Sequence, residues 1–147
     1  MTCPLAPGIV AALREIVGAD HVITDADRLM VYESDGLTQY RVTPRAVVLP
    51  ASTEEVAGVV RLLHGEGIEI VPRGAGTGLS GGALPSADGV IVGTARMNQI
   101  QTIDTANRLA RVQPGVINAR LTEATQPFGL YYAPDPSSQS TCTLGGN

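Results

Sequence analysis

The feature that most constrains the fold is a strand, helix and strand pattern that leads directly into a glycine-rich loop. Ala46–Leu49 and Ile68–Val71 are short apolar runs, each followed by a proline, and each is typical of a buried strand. Between them, Ser52 and Glu55 form a capping-box pattern ahead of an amphipathic helix. This order predicts a βαβ unit with two parallel strands, and therefore a fold of the α/β (α+β) class.

The segment that follows, Arg73–Gly82, has five glycines in its last nine residues, and we call it the glycine loop. Residues without a Cβ allow positive φ and let successive backbone N–H groups face one concave side, where they bind anions such as phosphate. A ligand-free surface loop is the alternative, but this many glycines would add an entropic cost to folding with no structural return. We therefore predict that the whole loop contributes to a phosphate site: Arg73, Gly74, Ala75, Gly76, Thr77, Gly78, Leu79, Ser80, Gly81 and Gly82.

Two familiar motifs also match inside the glycine loop, and the surrounding sequence argues against both. The Rossmann pattern Gly76-x-Gly78-x-x-Gly81 must open a helix, but a proline and an Asp-Gly turn follow it here. The pattern Gly78-x-Ser80-x-Gly82 matches the nucleophile elbow of α/β-hydrolases, but no histidine occurs after His64 to complete a triad.

Composition and charge exclude several other functions. All ten basic residues are arginine, which excludes a lysine Schiff base and a lysine-bearing phosphate loop. The net charge of −4 and the lack of a basic stripe argue against nucleic acid as a partner. No apolar run is long enough for a transmembrane segment. Cys3 and Cys142 match no metal spacing, so we expect no metal, reduced thiols and a cytoplasmic location.

The remaining elements are read from periodicity and turn residues. We divide the chain into an N-terminal helical segment, 1–42, and a βαβ lobe, 43–147, that carries the glycine loop. The predicted elements are helices at Gly8–Val17, Ala26–Tyr32 and Val116–Gln126, a strand at Val90–Val92, and a hairpin of Gln99–Asp104 with Arg108–Gln113.

Several motifs, in the right order, resemble one family. Val71–Ala83, Pro134–Ser138 and Thr143–Asn147 resemble the two cofactor-contacting segments of the FAD-binding domain shared by vanillyl-alcohol oxidase and p-cresol methylhydroxylase (PCMH) relatives. Within that family, the similarity is greatest to the flavin subunit of bacterial glycolate oxidases and related D-lactate dehydrogenases. The motifs that carry this closer similarity are Tyr32–Leu37 with Tyr40-Arg41, Arg111–Val116 and Tyr131–Pro136.

The resemblance implies the first lobe of a two-lobed fold, with FAD lying extended between a small parallel sheet and an antiparallel one. It implies that Pro134, Asp135, Pro136 and Ser138 form a rigid turn near the flavin ring or ribityl chain, and that Gly145 and Gly146 form a second point of close approach. Relatives with covalent flavin have a histidine in the glycine loop, where this chain has Thr77, so we expect non-covalent FAD. The implied reaction is oxidation of a small 2-hydroxy acid, glycolate or D-lactate, to the 2-oxo acid.

Members of the family continue well beyond the last motif, through the rest of the FAD-binding domain and into a substrate-binding cap. The acid, base and metal-binding residues that the resemblance implies lie in that part, so no catalytic residue is assigned here. We expect a fragment or a truncated product that is not active by itself. Other oxidase subunits are the expected partners, and they could place the protein at the inner membrane. The alternatives are a non-catalytic nucleotide-binding module and an inactive remnant.

Overall fold

A four-stranded, mostly parallel sheet forms the centre of the structure, a computed structural model that describes residues 4–147. Its strands lie in the order β1-β2-β4-β3. Strands β2 and β3 are each parallel to β4, whereas β1 is antiparallel to β2. The bounds are Val22–Ile23 for β1, Ala46–Val48 for β2, Ile70–Arg73 for β3 and Val90–Gly93 for β4.

Helices cover both faces of this sheet. Helices α1 (Pro7–Val17) and α3 (Thr53–Gly65) contact each other, and their apolar sides meet Ala46 and Val48 in the larger core cluster. The short helix α2 (Ala26–Leu29) and the 3₁₀ turn after it cover the other face, where Val47 lies. Side chains alternate between the two faces because the strand period is two residues, and every residue of β2 is buried.

The predicted Ser52 cap of α3 is confirmed, whereas the return bond from Glu55 lies one residue before the N-cap, on Ala51. The Ser52 hydroxyl accepts a hydrogen bond from the Glu55 N–H at 3.2 Å, and the Glu55 carboxylate accepts one from the Ala51 N–H at 2.7 Å. The Ser52–Glu55 bond satisfies a backbone donor that the helix itself leaves free, and the Ala51 bond fixes the chain that enters the helix.

The predicted strand Ile68–Val71 is wrong in its bounds, since β3 runs from Ile70 to Arg73 and includes Pro72. Proline is tolerated because β3 is an edge strand that pairs only with β4, so the missing N–H breaks no ladder on the open side. The two parallel strands of the predicted βαβ unit are present, with β4 between them. Strand β1 is an element that the sequence analysis did not predict.

The C-terminal part contains the predicted hairpin, β5 (Ile100–Asp104) with β6 (Leu109–Val112), and the predicted helix, α4 (Asn118–Thr125). Gly115 packs this part against the segment that follows β4, because its N–H donates to the Met97 carbonyl at 2.7 Å and a Cβ there would overlap the Thr94 carbonyl. Among residues 4–147, no helix is both long enough and apolar enough to cross a membrane.

The last residues return towards the glycine loop. Thr143 bridges to Ile117, and the Leu144 N–H donates to the Val116 carbonyl at 2.8 Å. This return places residues 142–146 opposite the loop that leaves the carboxyl end of β3. In open α/β sheets, ligands bind at this end of the strands.

Candidate functional site

The glycine loop and the C-terminal segment enclose a groove of about 450 Å³ at the carboxyl end of β3. One wall is the continuous stretch Arg73–Ser80, with Gly82 and Ala83. The other wall consists of Cys142, Thr143, Gly145 and Gly146. The groove therefore joins two segments that the sequence analysis predicted to contact one cofactor.

The glycine loop presents a run of free backbone donors. Within residues 4–147, no protein atom accepts a hydrogen bond from the N–H of any residue from Gly74 through Ser80. The loop turns at Gly76 and Gly81, which have φ of +74° and +81°, a region that favours glycine. Successive N–H groups left free around such turns are suited to binding an anion.

A buried carboxylate supports the loop from behind. Asp35 is 6% exposed, and its two oxygens accept hydrogen bonds from the Leu37 N–H at 2.8 Å and the Gly81 N–H at 3.1 Å. Next to it, the Gly36 N–H donates to the Gly78 carbonyl at 2.9 Å. The sequence analysis assigned no role to Asp35, because its partner Gly81 lies 46 residues away in the chain.

Arg73, predicted as a phosphate contact, lines the groove but is only 8% exposed. Its Nη1 donates to the Ser34 carbonyl at 2.8 Å and the Ala83 carbonyl at 3.0 Å, and its guanidinium lies 5.7 Å from the Tyr32 ring centroid. Burial lowers the pKa of Arg73. The nearby Tyr32 and Asp35 oppose that shift electrostatically, and the guanidinium stays protonated. Its Nη1 therefore stabilises the base of the loop.

Thr143 forms the most informative part of the opposite wall. It is buried, and within the described residues its Oγ1 has no hydrogen-bond partner. A Cβ placed on Gly74 would overlap this hydroxyl, and one placed on Gly146 would lie 3.1 Å from it. The sequence analysis included Thr143 in a motif but not among the site residues. A buried hydroxyl without a partner is costly unless a ligand supplies one.

The other predicted residues divide into two groups. Gly145 and Gly146 line the groove, although their N–H groups donate to the carbonyls of Pro114 at 2.8 Å and Thr143 at 2.9 Å. The turn Pro134–Ser138 is not part of this groove's lining; the Pro134 carbonyl instead accepts from the Asn118 side chain at 3.2 Å. The structure thus brings Gly145 and Gly146, but not Pro134, Asp135, Pro136 and Ser138, to the glycine loop.

A second groove, of about 500 Å³, lies between β6 and α4. Its lining is mainly apolar and includes Leu109, Leu121, Leu130, Tyr131 and Tyr132. No residue of the glycine loop reaches it, and the free N–H groups described above lie in the other groove. Its lining also includes Arg108, an exposed cation.

The groove at the glycine loop fits the diphosphate of a nucleotide cofactor, since it combines free N–H groups, an unpartnered hydroxyl and glycines on both walls that let a ligand approach the backbone. The model of the FAD binding domain family matches residues 44–147 of the chain. The chain belongs to this family. The predicted cofactor, FAD, is thereby confirmed, and the match covers both walls of the groove.

Curated relatives agree with this membership and with the resemblance to glycolate oxidase flavin subunits. The glycolate oxidase subunit GlcD of Escherichia coli K12 is 47% identical over 139 residues, which are 95% of this chain and 28% of that protein. A D-2-hydroxyglutarate dehydrogenase of Stutzerimonas stutzeri is 36% identical over 141 residues, 96% of this chain and 30% of that protein. The chain thus spans less than a third of the length of these relatives.

Solved structures confirm the predicted fold. An alkyldihydroxyacetonephosphate synthase superposes with a TM-score of 0.86 at 27% identity, over 99% of this chain and 29% of that one. The 4-ethylphenol oxidase of Gulosibacter chungangensis superposes with a TM-score of 0.80 at 27% identity, over 95% of this chain and 28% of that one. The small parallel sheet with flanking helices is therefore the fold of this class of FAD-binding proteins.

Proposed function

We propose that the chain binds the diphosphate of FAD with the backbone N–H groups of Gly74–Ser80. The observation that carries the proposal is the run of free donors along one wall of the groove, opposite the unpartnered hydroxyl of Thr143. Backbone N–H groups bind a diphosphate through their partial positive charges, so the site needs no phosphate-loop lysine, which this chain lacks. Arg73 contributes mainly by stabilising the loop.

The residues outside the free-donor run have separate proposed roles. Gly81 gives its N–H to Asp35, so we assign it to the shape of the loop. Gly82, Gly145 and Gly146 leave room for the cofactor along the groove. By resemblance, Pro134, Asp135, Pro136 and Ser138 lie nearer the flavin end of FAD. Thr77 offers no group for covalent attachment at the position where relatives have histidine, which supports non-covalent FAD.

The whole protein is proposed to oxidise a small 2-hydroxy acid to the 2-oxo acid. The names of the relatives support this substrate class, since both glycolate and D-2-hydroxyglutarate are 2-hydroxy acids. Bound FAD would supply the hydride acceptor for the α-carbon, while the hydroxyl proton leaves to a base. The described residues bind and orient the cofactor, and none of them is assigned as that base.

Partners and location follow from the same relatives as proposals. The Escherichia coli relative is named as a subunit, which supports assembly with other oxidase subunits. We propose a cytoplasmic location with attachment to the inner membrane through those subunits. The division into residues 1–42 and 43–147 also remains a proposal; β1 and α1, both in the first segment, share the core of the second.

Cofactor binding is tested by titrating the purified chain with FAD and with ADP, followed by desalting and flavin absorbance. We expect FAD to be retained and ADP to displace it, because both carry the diphosphate. Retention of neither ligand would contradict the proposal. Equal affinity for ADP and FAD would favour a nucleotide-binding module without a redox role.

The substrate class needs the product of the complete coding frame, loaded with FAD. Mixed anaerobically with glycolate, D-lactate or D-2-hydroxyglutarate, it is expected to lose its oxidised flavin absorbance with at least one of the three acids. Full absorbance with all three would contradict the substrate class but not the cofactor.

A further inference from the structure

We propose that Asp35 is a positioning residue that holds the glycine loop in its diphosphate-binding shape. The inference rests on the proposed function, because it concerns the same groove. Asp35 lies outside residues 44–147, the part that the family model matches. The proposed role of Asp35 therefore extends the cofactor site to a residue of the N-terminal segment.

The contacts of this segment stabilise the loop without using its free donors. The Asp35 carboxylate accepts from the N–H of Gly81, which follows the free run, and the Gly36 N–H donates to the carbonyl of Gly78. A third hydrogen bond links the same two segments, because Arg73 Nη1 donates to the Ser34 carbonyl at 2.8 Å. The N–H groups of Gly74–Ser80 take part in none of these bonds.

The second carboxylate oxygen fixes the orientation of Asp35 itself. It accepts from the Leu37 N–H at 2.8 Å, so the two oxygens bridge two backbone segments. Asparagine has nearly the same shape but only one side-chain acceptor oxygen, and its amino group would face one of the two N–H donors. Asp35→Asn therefore breaks one bond of the bridge while leaving the packing unchanged.

Two effects of Asp35 on an anionic ligand have opposite signs. Its negative charge, behind an anion site, repels a diphosphate, so removing the charge alone would tighten binding. Its hydrogen bonds keep the loop in the binding shape, and a smaller binding-competent fraction weakens the apparent affinity. A hydrogen bond to a charged group is strong enough to change that fraction about ten- to a hundredfold. We therefore expect weaker binding in Asp35→Asn.

The test compares Asp35→Asn with Asp88→Asn by calorimetric titration of the intact chain with FAD, ADP and adenosine. Asp88 is exposed in the segment after the loop, and its substitution removes the same charge. We expect Asp35→Asn to raise the Kd for FAD and ADP by a common factor of about ten or more. Adenosine, which lacks the diphosphate, should bind both variants alike, and Asp88→Asn should match the parent for all three ligands.

Unchanged or tighter ADP binding in a folded Asp35→Asn would overturn the positioning role and leave the proposed function intact. Failure of the parent chain to bind FAD and ADP would overturn the proposed function, and with it this inference. A role in stability alone would lower the melting temperature without reducing the preference for ADP over adenosine.

A second variant reaches the same contact from the backbone. Gly36→Ala would place a Cβ 2.7 Å from the Thr77 carbonyl oxygen and 3.0 Å from that of Gly78, so it should push the loop away. We expect the same selective loss of ADP and FAD binding. Amide hydrogen exchange supplies a ligand-free measurement, in which the Gly81 N–H should exchange faster in Asp35→Ala, which removes both acceptor oxygens, than in the parent. Unchanged exchange would contradict the bond on which the inference depends.

Discussion

Gly76→Ala should destabilise the chain more than the same change at another glycine of similar backbone conformation. Gly76 has φ of +74°, where a residue with a Cβ costs about 1–2 kcal/mol. The new Cβ would also overlap the Arg73 guanidinium, which is anchored to two backbone carbonyls. Displacing it far enough to lose one of those bonds costs about 1.5–3 kcal/mol more. The expected loss in the free energy of unfolding is therefore about 2.5–5 kcal/mol.

Gly67→Ala is the matched control. Gly67 has φ of +66°, but a Cβ there would meet nothing within 4 Å. This variant should lose only the backbone contribution, about 1–2 kcal/mol, and should bind FAD like the parent. Urea unfolding followed by circular dichroism measures both variants. Equal destabilisation of the two would refute the argument that the Arg73 guanidinium fills the space beneath Gly76.

Three further changes test other parts of the structure. Thr143→Val removes a buried hydroxyl that has no protein partner, so the free chain should keep or gain stability while FAD binding weakens; a thermal melt and a titration measure both. Ser52→Ala removes the cap of α3 and should cost about 1 kcal/mol in urea unfolding with no change in FAD affinity. Hydrogen bonds from Asn107 lower the pKa of Asp104, so Asn107→Ala should raise that pKa, measured by NMR. Because the folded pKa is the lower one, the associated stability exists above the unfolded pKa and disappears as the pH falls, and the variant should differ least from the parent in acid.

Local signals predicted much of the fold. The capping box at Ser52 and the apolar periodicity after it predicted α3, because both depend on neighbours within a few residues. Strand β1 went unpredicted because two residues carry no readable alternation. Pro72 was taken as the end of a strand, since the sequence does not show that β3 lies at an edge with its open side free.

The candidate site also has parts that local sequence signals predicted and parts that they did not. The density of glycine predicted the loop, and the structure places its free N–H groups along a groove. The roles of Asp35 and Thr143 depend on contacts between distant segments, which no local pattern encodes. Arg73 was predicted from its charge to face a phosphate, but its Nη1 bonds to carbonyls at Ser34 and Ala83 that only the folded chain brings near.

The most direct test of the central claim is an NMR titration of the ¹⁵N-labelled chain with ADP, and separately with adenosine. The account predicts that ADP shifts the amide resonances of Gly74–Ser80 far more than those of α3, and that adenosine leaves them in place. Shifts confined to the groove between β6 and α4, or equal shifts with adenosine, would contradict it.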